Sequence, residues 1–89
     1  MKSVSITVTG KVQGVFFRAS AKDTADRLSV KGSAQNMPDG SVYIEAEGDE
    51  ENLKQFIGWC QQGPPRASVS NVNVVEAEPK SFQRFDIKR

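Results

Sequence analysis

Arg18 closes the run Gly10-Lys11-Val12-Gln13-Gly14-Val15-Phe16-Phe17-Arg18, where a glycine-containing loop gives way to a helical pattern. The first backbone N–H groups of a helix have no intrahelical acceptor and the macrodipole is positive there, so such a position attracts anions. A cation with no other role is mildly destabilising at that end. An anion held between Arg18 and the loop amides removes the conflict, so the run reads as a phosphate site. Its donors are the backbone N–H groups of Gln13, Gly14, Val15, Phe16, Phe17 and Arg18, and its guanidinium grips two phosphoryl oxygens. For an isolated Gly-x-x-x-Gly the plainer alternative is a connection whose glycines only permit positive φ, with Arg18 in water. No Gly-Lys-Ser/Thr follows, which sets the run apart from a Walker A loop.

Flanking elements must hold that loop in place. Before it, Val4, Ile6 and Val8 alternate with Ser5, Thr7 and Thr9, the pattern of a strand with one buried face. After it, Phe17, Ala21, Ala25 and Leu28 recur at helical spacing, predicting a helix to about Lys31 with Gly32 as its stop. Gly32 to Met37 reads as a short second strand, Pro38-Asp39-Gly40 as a type I′ hairpin turn, and Ser41 to Glu47 as a third strand. In that strand Val42, Ile44 and Ala46 point inward, and Tyr43, Glu45 and Glu47 outward. Asp49 is placed to cap a second helix, with Glu50 and Glu51 against its dipole and Leu53, Phe56, Ile57 and Cys60 as its apolar stripe. Gly63, Pro64 and Pro65 end it. Val72 and Val74 begin a fourth strand near Val69, and Phe85 with Ile87 suggests a last strand or edge segment. The order β-α-β-β-α-β predicts an α+β, ferredoxin-like sandwich, an antiparallel sheet with two helices on one face. Topology alone does not reveal function.

The string Val12-Gln13-Gly14-Val15 followed by Phe17-Arg18 closely resembles the signature of the acylphosphatase family, small enzymes that hydrolyse the carboxyl–phosphate bond of acyl phosphates. Asn36-Met37-Pro38-Asp39-Gly40-Ser41-Val42 with Glu47-Gly48 is similar to the family's second motif. Gly63-Pro64-Pro65-Arg66-Ala67-Ser68-Val69 and Phe85-Asp86-Ile87-Lys88-Arg89 are similar to its third landmark and its C-terminal strand. The resemblance implies that Arg18 and Asn36 are the catalytic side chains, with Asn36 binding the attacking water. Taken alone, Asn36 is a turn-flanking residue beside Pro38, a common place for Asn. Three positions depart from the pattern: Ser33 and Ala34 where Trp and Val are common, and Gln35 where Arg is common. They bear on the rim of the site and on substrate preference.

Composition narrows the chemistry. The 89 residues predict a single domain over 1–89 with a modest core. Net charge is +1, so no global field draws the chain to nucleic acid or an anionic membrane, and any anion preference is local. One cysteine cannot form an internal disulfide, and no N-terminal apolar run resembles a signal peptide or membrane span, so a cytoplasmic location is the default expectation, and a monomer is the simplest oligomeric one. With no histidine and one cysteine the usual Cys/His zinc sites are excluded, and the carboxylates lack calcium-loop spacing; neither metal nor cofactor is expected. The loop offers no Cys, His, Ser or Asp to carry a phosphoenzyme, which leaves direct attack by water. An acyl phosphate suits that route, because its carboxylate leaving group, with a parent pKa of about 4, departs unprotonated at neutral pH. The expected ligands are a small-molecule acyl phosphate and, competitively, inorganic phosphate or sulfate.

Other features read as structural. Trp59 and Tyr43 are packing or partly exposed surface in preference to stacking platforms, and Cys60, on a core-facing helical position, is an inert thiol. The pairs Asp23–Arg27, Lys22–Asp26 and Glu50–Lys54 describe solvated helix faces. Arg66 serves solubility in preference to the anion site, and Asp39 is a turn residue whose closeness to the site keeps it in view. An RNA-recognition motif shares the predicted topology but needs aromatics on its first and third strands, where this chain has Val4, Ile6, Val8 and a single Tyr43. The stronger alternative is a non-catalytic, anion-binding or carbamoyl-phosphate-handling module, since acylphosphatase-like domains begin the much longer hydrogenase maturation factors. A chain of 89 residues that starts with Met and ends on its own last strand favours a free-standing enzyme.

Overall fold

The computed structural model describes residues 1–88; Arg89, the last residue of the closing motif, lies outside the described residues. Strand β1 (Lys2–Lys11) leads into helix α1 (Phe17–Arg27), then strands β2 (Lys31–Asn36) and β3 (Val42–Gly48), helix α2 (Glu50–Gln62), and strands β4 (Ser68–Glu76) and β5 (Phe85–Lys88). The sheet order is β4-β1-β3-β2-β5. Register explains the core. Val4, Ile6 and Val8 of β1 stand opposite Ala46, Ile44 and Val42 of β3, so two apolar rows merge on one face. Phe17, Ala21 and Ala25 of α1 and Leu53, Phe56 and Cys60 of α2 are buried with those rows in one cluster. Phe17, Phe56, Trp59 and Phe85 bind the helices to the sheet, with centroid distances of 5.2 Å for Phe17–Trp59 and 5.8 Å for Phe56–Phe85. Trp59 is therefore a packing residue, as expected.

Neighbouring pairs among β1 to β4 are antiparallel, whereas β5 runs parallel to its neighbour β2. The sheet is thus mixed, because the chain leaves β4 at one edge and reaches the opposite edge already pointing along β2. Helix α1 ends earlier than its periodicity predicts. Ser29, at φ 57, takes the left-handed position after the helix, Val30 N–H bonds the Ala25 carbonyl at 2.8 Å and Ser29 N–H bonds that of Asp26 at 3.3 Å. This Schellman closure serves the last carbonyls without a glycine, and Gly32 instead lies within β2. The hairpin also departs from type I′: Gly40 alone among its loop residues has positive φ, and its N–H bonds the Met37 carbonyl at 3.1 Å. Pro38, which fixes φ near −65°, holds the first turn position in place of a left-handed residue.

Glu47 faces away from the helices, as the alternation implies, but is only 1% exposed. Residues 77–84 cross that side of the sheet, and the Lys80 and Phe82 amides and the Ser3 hydroxyl all donate to its carboxylate. Burial pushes the Glu47 carboxyl up, and those donors more than offset it, holding it below the ordinary glutamate range. On α1, Lys22 pairs with Asp26 at 3.1 Å. Asp49 occupies the N-cap of α2 without a side-chain cap bond.

Candidate active site

The site is built where β1 ends. Gly10, at φ 126, sits at a register shift between β1 and β4, and a Cβ there would fall 2.3 Å from the Ser68 carbonyl oxygen. Only glycine allows the two backbones to meet so closely. The chain then turns through 12–16, with Val12 (1% exposed) and Val15 (4%) anchoring it in the core. Gly14 (φ 73) and Phe16 (φ 65) adopt left-handed conformations on either side of Val15. Alternation of this kind turns successive N–H groups towards one side, forming an anion-binding concavity. Among the described residues, no group accepts a hydrogen bond from the backbone N–H groups of Gln13 to Arg18.

Arg18 stands in the first turn of α1 and is half-buried. Its Nη1 donates to the Lys88 carbonyl at 2.8 Å, which fixes the side chain against β5 and leaves other guanidinium donors for a ligand. Asn36 is the last residue of β2, paired with Val42, and its carboxamide has no hydrogen-bond partner among the described residues. A cleft of about 320 Å³ brings Arg18 and Asn36 together with Gly14, Phe16, Phe17, Ala19, Val12 and Ile87. Of the residues predicted for the site, Gln13 and Val15 do not border it. The Val15 side chain points into the core, and Gln13 has a different task.

Gln13 Nε2 donates to the Met37 carbonyl at 2.8 Å and to that of Ser41 at 2.9 Å. It braces the loop against the hairpin that directly follows Asn36, whereas the sequence suggested only that its backbone N–H would bind phosphate. Asp39 is a turn residue: its carboxylate accepts from the Ser41 hydroxyl at 2.6 Å and the Ser41 N–H at 3.0 Å, and these bonds hold its pKa below the ordinary value. It borders a separate hollow with Thr7 and Tyr43. Ser33 and Ala34 are buried within β2, and Gln35 reaches the Met37 sulfur at 3.4 Å, so none of the three forms the rim of the cleft. Ile87, Ala19 and Val12 were not anticipated there. Cys60 is buried, and desolvation pushes its thiol up to about 12, which leaves it protonated and inert. Arg66 is exposed and does not line the cleft. Among the described residues no cluster of His, Cys, Asp or Glu has metal-binding geometry, and no helix is long and apolar enough to cross a membrane.

Comparison with known proteins places this geometry. The acylphosphatase family model matches residues 4–87. An acylphosphatase of Thermotoga maritima is 49% identical over 88 residues, covering 99% of this chain and 98% of that protein. The crystal structure of acylphosphatase from Bacillus subtilis superposes with a TM-score of 0.97 at 36% identity, covering all of both chains. HypF of T. kodakarensis contains a similar fold, with a TM-score of 0.87 at 31% identity, in which this chain matches 12% of the larger protein.

Proposed function

Since the chain belongs to the acylphosphatase family and hydrolyses the carboxyl–phosphate bond of acyl phosphates, we propose that Arg18 and the loop amides bind the phosphoryl group while Asn36 orients the attacking water. The observation that carries this reading is the convergence on one cleft of Arg18, Asn36 and a loop whose amides are unengaged. Phosphoryl transfer requires little covalent help from a protein; positioning and charge stabilisation supply most of the acceleration. The amides of Gln13, Gly14, Val15, Phe16, Phe17 and Arg18 take the phosphoryl oxygens, and the Arg18 guanidinium opposes their charge.

The Asn36 carboxamide is neutral and serves as a guide for water, not as a base. As the water oxygen bonds to phosphorus, the bond from phosphorus to the acyl oxygen breaks and its electron pair leaves on the carboxylate. The water's proton passes to a phosphoryl oxygen. The route uses no metal and no phosphoenzyme, so turnover should persist in excess chelator. The same proposal takes residues 1–89 as a single domain, supported by one core to which both helices and the sheet contribute, and takes the enzyme as a cytoplasmic monomer.

Phosphate titration tests the site. Inorganic phosphate or sulfate should inhibit competitively and should shift the amide resonances of Gly14 to Arg18. If millimolar phosphate leaves those amides unmoved while perturbing another surface, the loop is not the binding site.

A further inference from the structure

Within the site as read above, we propose that the Phe16 ring is the acyl-recognition element and biases the enzyme towards acyl phosphates whose acyl group is aromatic or bulky and apolar. The polar groups of the cleft are already committed: Arg18 and the amides to phosphoryl oxygens, Asn36 to water. What remains for the acyl group is apolar surface. Phe17 has none to spare, being 2% exposed and packed on Trp59. Phe16 is 69% exposed. Met1, Val74 and Val75 are the other exposed large hydrophobic side chains among the described residues, and none of them borders the cleft.

The backbone adds a second, independent argument. Phe16 holds φ 65 and ψ 28 at the N-cap of α1, a left-handed conformation that glycine or asparagine adopts readily and an aromatic residue does not. No burial compensates for that strain, because the ring lies in solvent. The left-handed backbone itself serves the amide concavity, but it would be met more easily by glycine or asparagine, so the choice of a large, unburied aromatic on the lip of the cleft is accounted for by a ligand that covers the ring. A planar or branched apolar acyl group stacked on the ring would do so, and its contact would add binding for that class alone.

Two variants test this, Phe16→Gly and Phe16→Asn, since both suit the left-handed backbone and differ in flexibility. For each, kcat/KM is measured with benzoyl phosphate and with acetyl phosphate, and the ratio of the two is the readout. The ratio should fall about fivefold or more in both variants, and Phe16→Trp should preserve or raise it. A ratio that stays within about twofold in both, including a parallel loss on both substrates, assigns Phe16 a backbone role only and overturns the inference. Phosphate titration of the unsubstituted protein separates this from failure of the site itself: unmoved amides at Gly14 to Arg18 would remove the site and the inference together.

Discussion

Arg18 and Asn36 reach the same cleft from different elements, and the different tasks proposed for them call for different kinetic signatures. Arg18→Lys keeps a charge but loses the planar fork that contacts two oxygens, and a lysine ammonium cannot reproduce it beside the Lys88 carbonyl. Both kcat and KM should suffer, with kcat/KM falling about 10²-fold or more. Asn36→Ala should instead lower kcat by about 10²-fold while KM and phosphate inhibition change little, the mark of a contact used mainly in the transition state. A folded Asn36→Ala enzyme with near-normal kcat would reduce Asn36 to a turn residue. That these two side chains would share a cleft was legible in the sequence through motif resemblance. The brace formed by Gln13 was not, because its acceptors lie 24 and 28 positions away and meet it only once β1, β2 and β3 are paired.

Elements were readable as far as their local periodicity reached. The spacing of Phe17, Ala21 and Ala25 identified the buried face of α1, yet its end was set by Ser29, a residue with no strong intrinsic claim to a left-handed cap. Packing decides there. Val30 is fully buried just beyond the turn, and its burial holds the reversal in place. Likewise, Pro38 dictated a hairpin geometry that the Asp-Gly pair alone misreported. The parallel pairing of β5 with β2 was invisible because partner choice between distant strands leaves no trace in either one. Gly10 marks where a strand-level prediction can be made. Gly10→Ala drives a Cβ into the β4 backbone at 2.3 Å, so thermal or urea unfolding should show a loss of about 2 kcal/mol or more. Unchanged stability would mean that β1 and β4 part easily at the bulge, contrary to the packing described.

At the level of the whole molecule, the crossover of residues 77–84 links the two sheet edges, and Glu47 is its anchor. Hydrogen bonds hold the Glu47 carboxyl below its ordinary value near 4.5, so the folded state favours the charged form more than the unfolded chain does. Its stabilising contribution is therefore complete above about pH 4.5 and drains away as pH falls through the folded-state value. Urea unfolding repeated from pH 6 down to pH 3 should show this loss, and Glu47→Gln should flatten that part of the profile; an unaltered acid slope would show that other carboxylates set it. Charge alternation marked Glu47 as outward, and only the crossover, a segment without periodicity, explains its burial. The aromatic packing across the helices has one more outcome. The chain holds a single tryptophan, and its indole lies 5.2 Å from the Phe17 ring, one residue before Arg18. The enzyme thus carries its own optical reporter beside the arginine proposed to grip the phosphoryl group: emission from Trp59 should change saturably as phosphate settles into the loop, and the same signal should vanish from the titration when Arg18 is replaced.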